Sequence, residues 1–213
     1  MRAFNVTFLV LAACFVTVPM YGAEKTIVVV EKGDEAAKTN HENNRKNLPP
    51  GGEAVEAGSL DDAETKVLGK LGEGDCIKRL DFRGHGGPGV QSVGDGVGAN
   101  PDANMHINTD NQNKWIDRLK DLKGRFCRDA VINLWGCNVG SCNKGAAKLQ
   151  KIADEFGVTA RGAVNTVNAG QQESYRGPIQ EAKPGQPTPE CKQATVEKAK
   201  PKKKPSSSGE PGG

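Results

Sequence analysis

Two residues in this sequence have the side chains and the setting for nucleophilic catalysis. His85 stands in Gly84-His85-Gly86-Gly87-Pro88-Gly89, and Cys137 stands in Leu134-Trp135-Gly136-Cys137-Asn138-Val139. A cysteine attacks as its thiolate, and an unperturbed thiol titrates near about 8.5, so it needs a base or a cation beside it. An imidazole supplies either. The glycines around both residues let the backbone come close to a substrate carbonyl. The amides of Gly86 and of Cys137 itself are candidate oxyanion donors, each worth about 3 kcal/mol to a transition state. Asp81 and Arg83 lie just before the histidine, and two readings stay open for them. They line the site and bind substrate, or they satisfy the edge of a strand.

Each reactive residue also has a plain reading. A glycine-flanked histidine is a common turn residue, and a buried cysteine is commonly a small hydrophobe. Their occurrence together, each at the end of an apolar run, favours a dyad. The chain has six cysteines. With Cys14 assigned to an export signal, an odd number remains, which flags a reactive thiol. Cys76 and Cys127 each lie near the start of a proposed strand and form the candidate structural disulfide. A Cys137–Cys142 disulfide would disable the nucleophile. Cys142 and Cys191 otherwise carry no assignment. A zinc site from His85, Cys137, Cys142 and Cys127 lacks paired C-x₂-C spacing, so no metal is expected. No cofactor is implied. His41 and His106 lie in polar stretches and read as solvated.

The elements that must position the pair follow from periodicity. Residues 77–82 carry Ile77, Leu80 and Phe82 among charged residues, residues 131–135 are nearly all apolar, and both stretches lead into glycine and read as buried strands. The second stretch, nearly all apolar, reads as buried on both faces, as central parallel strands are. As parallel neighbours the two stretches would bring His85 and Cys137 to one carboxyl edge, where open α/β sheets place their sites. Residues 26–30 are β-branched and form another strand. Ser59 caps a helix with Ala63, Val67, Leu68 and Leu71 inward and Gly72 at its end. Trp115, Ile116, Leu119, Leu122 and Phe126 mark a second amphipathic helix. Asn143 caps a third, with Leu149, Ile152, Ala153 and Phe156 buried and Gly157 as the stop. Residues 158–167 contribute one more strand.

The order predicts an α/β domain, a small three-layer sandwich. Its mostly parallel sheet has about four strands, with right-handed crossovers and helices on both faces. Residues 24–58 are read as the first strand plus a polar linker, residues 59–169 as the α/β domain, and residues 170–213 as a disordered tail rich in Pro, Lys, Ser and Gly. Residues 90–93 suggest a hairpin arm, and residues 94–110 a loop over the site.

Residues 1–23 read as an export signal, with Arg2 before an apolar run and a cut ahead of Glu24. The expected location is secreted or periplasmic. Leu11-Ala12-Ala13-Cys14 is similar to a lipoprotein box, but the apolar run continues beyond it. That run is shorter than the ~20 residues a membrane span needs. No second such run occurs, so the mature chain is expected to lack a transmembrane segment. Net charge is +3. From Arg176 onward, eight Lys/Arg face four Glu, so the basic excess resides in the tail. No aromatics interleave its lysines, so no nucleic-acid partner is expected. Contact of the basic tail with anionic surfaces is the alternative use.

The His-Gly and Gly-Cys tips, about fifty residues apart, resemble those of the caspase-like (clan CD) cysteine peptidase superfamily. They are especially similar to bacterial caspase-like domains of secreted proteins. The resemblance covers residues 77–168. It implies a caspase-hemoglobinase-like fold, with His85 as general base or acid, Cys137 as nucleophile and Gly86 as oxyanion donor. It further implies hydrolysis of peptide bonds in a peptide or protein substrate, through a thioester acyl-enzyme. Two departures are visible. The polar segment after the first strand is long, and nothing after Val167 reads as the wall of a substrate pocket. A catalytically inactive domain of the same fold, acting as a secreted binding module, is the alternative function.

Overall fold

The computed structural model describes residues 22–32, 47–94, 104–110, 112–165 and 178–191. The export-signal reading for 1–21, Cys14, His41 and the tail beyond Cys191 lie outside these residues.

The β-branched and aliphatic runs form the centre of a six-stranded sheet. Its strands are β1 (Glu24–Glu31), β2 (Gly52–Ala57), β3 (Cys76–Arg83), β7 (Phe126–Leu134), β8 (Thr159–Ala163) and β9 (Ile179–Ala182), in the order β2-β1-β3-β7-β8-β9. All pairs are parallel except the antiparallel β8–β9 pair. A second, antiparallel sheet joins β4 (Gly86–Gly87), β5 (Val90–Ser92) and β6 (His106–Asn108). The helices are α1 (Leu60–Leu68), α2 (Gln112–Arg118) and α3 (Cys142–Phe156), with a 3₁₀ turn at Lys120–Leu122.

The sheet has six strands rather than about four, and the two extra strands are its edges. Gly52–Ala57 lies in the expected linker and buries only Val55 and Ala57. Ile179–Ala182 lies in the expected disordered tail and buries Gln180 and Ala182. An edge strand needs one apolar face over a few residues, too short a signal to separate from loop. Residues 106–108 form a strand where a loop was expected. His106 is buried there, opposite Ser92, rather than solvated.

The main apolar cluster lies on one side of the sheet, while Val28 and Val30 are buried on the other. Alternate residues of each strand (Ile27 and Val29, Leu80 and Phe82, Ile132 and Leu134, Ala160) join one cluster with Leu60, Val67, Trp115, Leu149 and Ile152. α1 contacts α2, and α2 contacts α3. The rings of Trp115 and Phe156 stack at 6.5 Å. All three described helices therefore share a face, against the expectation of helices on both. The reason is topological. From β2 through β3 and β7 to β8 the chain always moves the same way across the sheet, so right-handed crossovers stay on one side.

The second helix is shorter than its apolar spacing predicts. Gly124, at φ 81, turns the chain after the 3₁₀ turn, and Phe126 opens β7 instead of closing the helix. β7 is irregular at its start. Ile77 pairs with Phe126, yet Arg79 pairs with Val131. The extra residues bulge outward through Asp129, at φ 58. Beside this bulge Cys76 and Cys127 form a disulfide with a Cα–Cα distance of 5.0 Å.

Candidate active site

The geometry of the two tips starts from one register pair. Phe82 on β3 is opposite Leu134 on β7. His85 and Cys137 each stand three residues beyond it, on neighbouring parallel strands. The backbone of Trp135 continues the pairing, its N–H donating to the Phe82 carbonyl at 2.9 Å. Past this point the two chains touch through glycine. A Cβ added to Gly86 would lie 2.7 Å from Gly136 Cα, and one added to Gly136 would lie 2.8 Å from the His85 carbonyl oxygen. No side chain fits between them. His85 is exposed and Cys137 is half-buried, so both face solvent at the carboxyl edge.

Gln91 links the tips directly. Its side chain is fully buried. Its Oε1 accepts from the Gly136 N–H at 2.8 Å. Its Nε2 donates to the Ser92 carbonyl at 2.8 Å and to the His85 carbonyl at 3.3 Å. One amide thus holds the histidine turn and the cysteine turn at a fixed separation. Its orientation is dictated by its partners, because only the oxygen can accept from an amide and only the nitrogen can donate to carbonyls.

Glu31 supports the histidine turn from the other side. It is the last residue of β1 and is fully buried. Its Oε2 accepts from the His85 N–H at 2.6 Å, and its Oε1 accepts from the Ser92 hydroxyl. The Ser92 N–H in turn donates to the His85 carbonyl at 2.9 Å. That bond fixes the alternation of the β4–β5 ladder. Gly86, paired with Gln91, falls at a non-hydrogen-bonded position, so its N–H is not spent on β5.

The cysteine turn is held by β8 and its own backbone. The Asn138 N–H donates to the Asn165 carbonyl at 3.1 Å, and the Gly140 N–H to the Ala163 carbonyl at 2.8 Å. Asn138 takes the left-handed conformation at φ 57, which asparagine tolerates better than most residues. The helix that follows begins at Cys142, so Ser141 rather than Asn143 occupies the cap position. Cys137 is not disulfide-bonded. Among the described residues no His/Cys/Asp/Glu cluster has the grouping to hold a metal ion.

Of the two readings open for Asp81 and Arg83, burial and ion pairing fit the one in which they satisfy the strand. Both are buried. Asp81 takes Arg79 Nε and Nη2 on its two oxygens, each at 2.8 Å, and Asn133 Nδ2 at 2.8 Å. Arg83 Nη1 donates to the Asn47 carbonyl at 2.5 Å, and its Nη2 lies 3.8 Å from Asp81. By strand alternation these groups project from the face opposite the helices. The sequence reading missed Glu31, Gln91 and Ser92. A charged residue directly after Val28-Val29-Val30 was the available signal, because the end of a buried strand is the sheet edge.

Among the described residues, no helix is long and apolar enough to cross a membrane. Comparison with protein-family models and with curated proteins finds no match for this chain.

Proposed function

We propose that the chain is an exported cysteine peptidase of the caspase-like type, working through a Cys137/His85 dyad. One observation carries the reading. The two reactive residues sit at equal offsets from a register pair on adjacent parallel strands, with their flanking glycines in backbone contact. Neighbouring tips of this kind support a thiol–imidazole pair that exchanges a proton, the step the reading requires.

In this reading His85 takes the Cys137 proton, and the sulfur attacks the scissile carbonyl. The carbonyl carbon becomes tetrahedral, and its oxyanion meets the Gly86 N–H. Collapse expels the amine, which leaves with the proton returned by His85. Water, deprotonated by the same imidazole, then hydrolyses the thioester and regenerates the thiol. Gln91 and Glu31 do not touch substrate. They are positioning residues, setting the distance between the turns and the pose of the histidine backbone. The Cys76–Cys127 disulfide favours an oxidising compartment and so supports export.

The test is covalent capture with a library of peptidyl acyloxymethyl ketones. Adduct on Cys137 in the wild type, with none in Cys137→Ala and strong loss in His85→Ala, is the expected result. Labelling that persists in Cys137→Ala removes the assigned nucleophile. A Cys137 inert to every member of the library, in folded protein, favours the inactive binding module instead.

A further inference from the structure

A second pair of cysteines lies apart from the dyad and from the Cys76–Cys127 disulfide. Cys142 is exposed at the first position of α3, and Cys191 is half-buried at the end of the described chain. Neither is disulfide-bonded here, and the two sulfurs are near enough for Cys142 to act on the Cys191 thiol. Burial, and then the neighbouring sulfur, push the Cys191 thiol above its usual range.

The path between β9 and Cys191 explains how they meet. β9 runs antiparallel to β8 and packs beside α3. Its exit is anchored near the carboxyl end of α3. Gln150 Nε2 donates to the Lys183 carbonyl at 2.9 Å, and the Gly185 N–H donates to Asp154 Oδ1 at 2.8 Å. The chain then returns without helix or strand through Pro187 and Pro189 to Cys191. Proline restricts such chain to an extended form, and the stretch from Gly185 to Cys191 spans about 19 Å at ~3.1 Å per residue. Along α3, the distance from Asp154 back to Cys142 is about 18 Å at ~1.5 Å per residue. The return segment is therefore long enough to run back past the helix as a strap and deliver Cys191 to Cys142.

We propose that Cys142 and Cys191 are an oxidation site, whose disulfide fastens the C-terminal strap to the first turn of α3. The reactant is a small-molecule disulfide such as oxidised glutathione. The exposed Cys142 thiolate attacks one of its sulfurs and releases one glutathione thiolate, leaving a mixed disulfide on Cys142. Cys191 loses its proton and attacks the Cys142 sulfur, releasing the second glutathione. Two protein thiols are oxidised, and one disulfide is reduced to two thiols. The bond closes five residues beyond Cys137, at the start of the helix that follows the cysteine turn, and ties the strap to that helix. This inference stands whether or not the dyad is catalytic.

The experiment treats the full chain with oxidised glutathione, alkylates it with iodoacetamide and maps a non-reducing tryptic digest by mass spectrometry. The expected product links the peptide of Cys142 to that of Cys191, with fragment ions placing the alkyl group on Cys137. A parallel subtilisin digestion of the native protein should cut residues 183–191 about tenfold more slowly after oxidation. The same treatment of Cys191→Ser should leave that rate unchanged. Alkylation of both Cys142 and Cys191 while Cys76–Cys127 stays linked overturns the proposal. So does a bond from Cys137 to either of them. A correct bond that leaves the cleavage rate unaltered overturns the strap.

Discussion

Gln91 satisfies three backbone groups from a fully buried position, so replacing it has two separable effects. Gln91→Ala leaves the Gly136 N–H and two carbonyl oxygens without this partner and should cost about 2–4 kcal/mol in a urea melt. It also frees the histidine turn from the cysteine turn. In the proposed dyad a shift of about 1 Å between the two side chains is enough for roughly 100-fold in rate, which the second-order rate of Cys137 capture would report. Gln91→Glu replaces a donor with an acceptor that faces two carbonyls, and should do no better than alanine at neutral pH. Glu31 divides differently. Glu31→Gln keeps one acceptor oxygen for the His85 N–H, and the Ser92 hydroxyl can rotate to accept from the new amide. It should cost about 1 kcal/mol, against about 2–4 kcal/mol for Glu31→Ala. Equal losses in the two variants would mean that shape, not hydrogen bonding, holds the turn. At this scale the sequence was half legible. His85 and Cys137 announce themselves by chemical type and flanking glycine. Glu31 and Gln91 do not, because a polar residue after an apolar run has the same signature whether it meets water or a buried amide.

Among the elements, β3 and β7 carry both tips at one end and the Cys76–Cys127 bond at the other. That separation yields a prediction. The double variant Cys76→Ser/Cys127→Ser opens a loop with a sequence separation of 51. Chain entropy then assigns it about 4 kcal/mol of lost stability, seen as a lower urea midpoint, with a steeper slope because the unlinked denatured chain exposes more surface. The rate of Cys137 capture in the folded fraction should stay within about twofold, since the register pair Phe82–Leu134 and the glycine contact lie beyond the bulge. A large rate loss would mean that strand alignment at the tips depends on the covalent tie. β1 and β7 were legible from mostly apolar runs over several residues, and β3 from Ile77, Leu80 and Phe82 leading into glycine. The edge strands were not, because Gly52–Ala57 and Ile179–Ala182 each bury only alternate positions. The end of α2 was lost for another reason. Phe126 continues the helical spacing by coincidence, while Gly124 decides the turn through its positive φ.

For the molecule as a whole, the most exposed inconsistency between sequence and burial is Lys148. Helical spacing puts it in the stripe with Leu149, Ile152 and Phe156, where a lysine is read as solvated. It is fully buried instead, and its Nζ has no hydrogen-bond partner among the described residues. Burial alone holds its ammonium well below the usual lysine range. The consequence for stability has a definite sign. The unfolded lysine titrates near about 10.4. Between the depressed folded value and ~10.4 the unfolded chain binds more protons, so this residue makes stability rise with pH, by up to about 1.4 kcal/mol per pH unit. Below that window both states are protonated, and the full cost of the buried charge is present. Lys148→Met keeps the volume and removes the ionisable group. It should stabilise the fold at pH 7, and its advantage over the wild type should shrink as pH rises towards 10.4. Urea midpoints of the two proteins, measured in parallel from pH 6 to 10, cancel the titration of every shared group and isolate this one. An advantage that stays flat across that range would place the Lys148 ammonium in contact with water or with a partner. The core beneath α3 would then be more open than the packing of Trp115 on Phe156 implies.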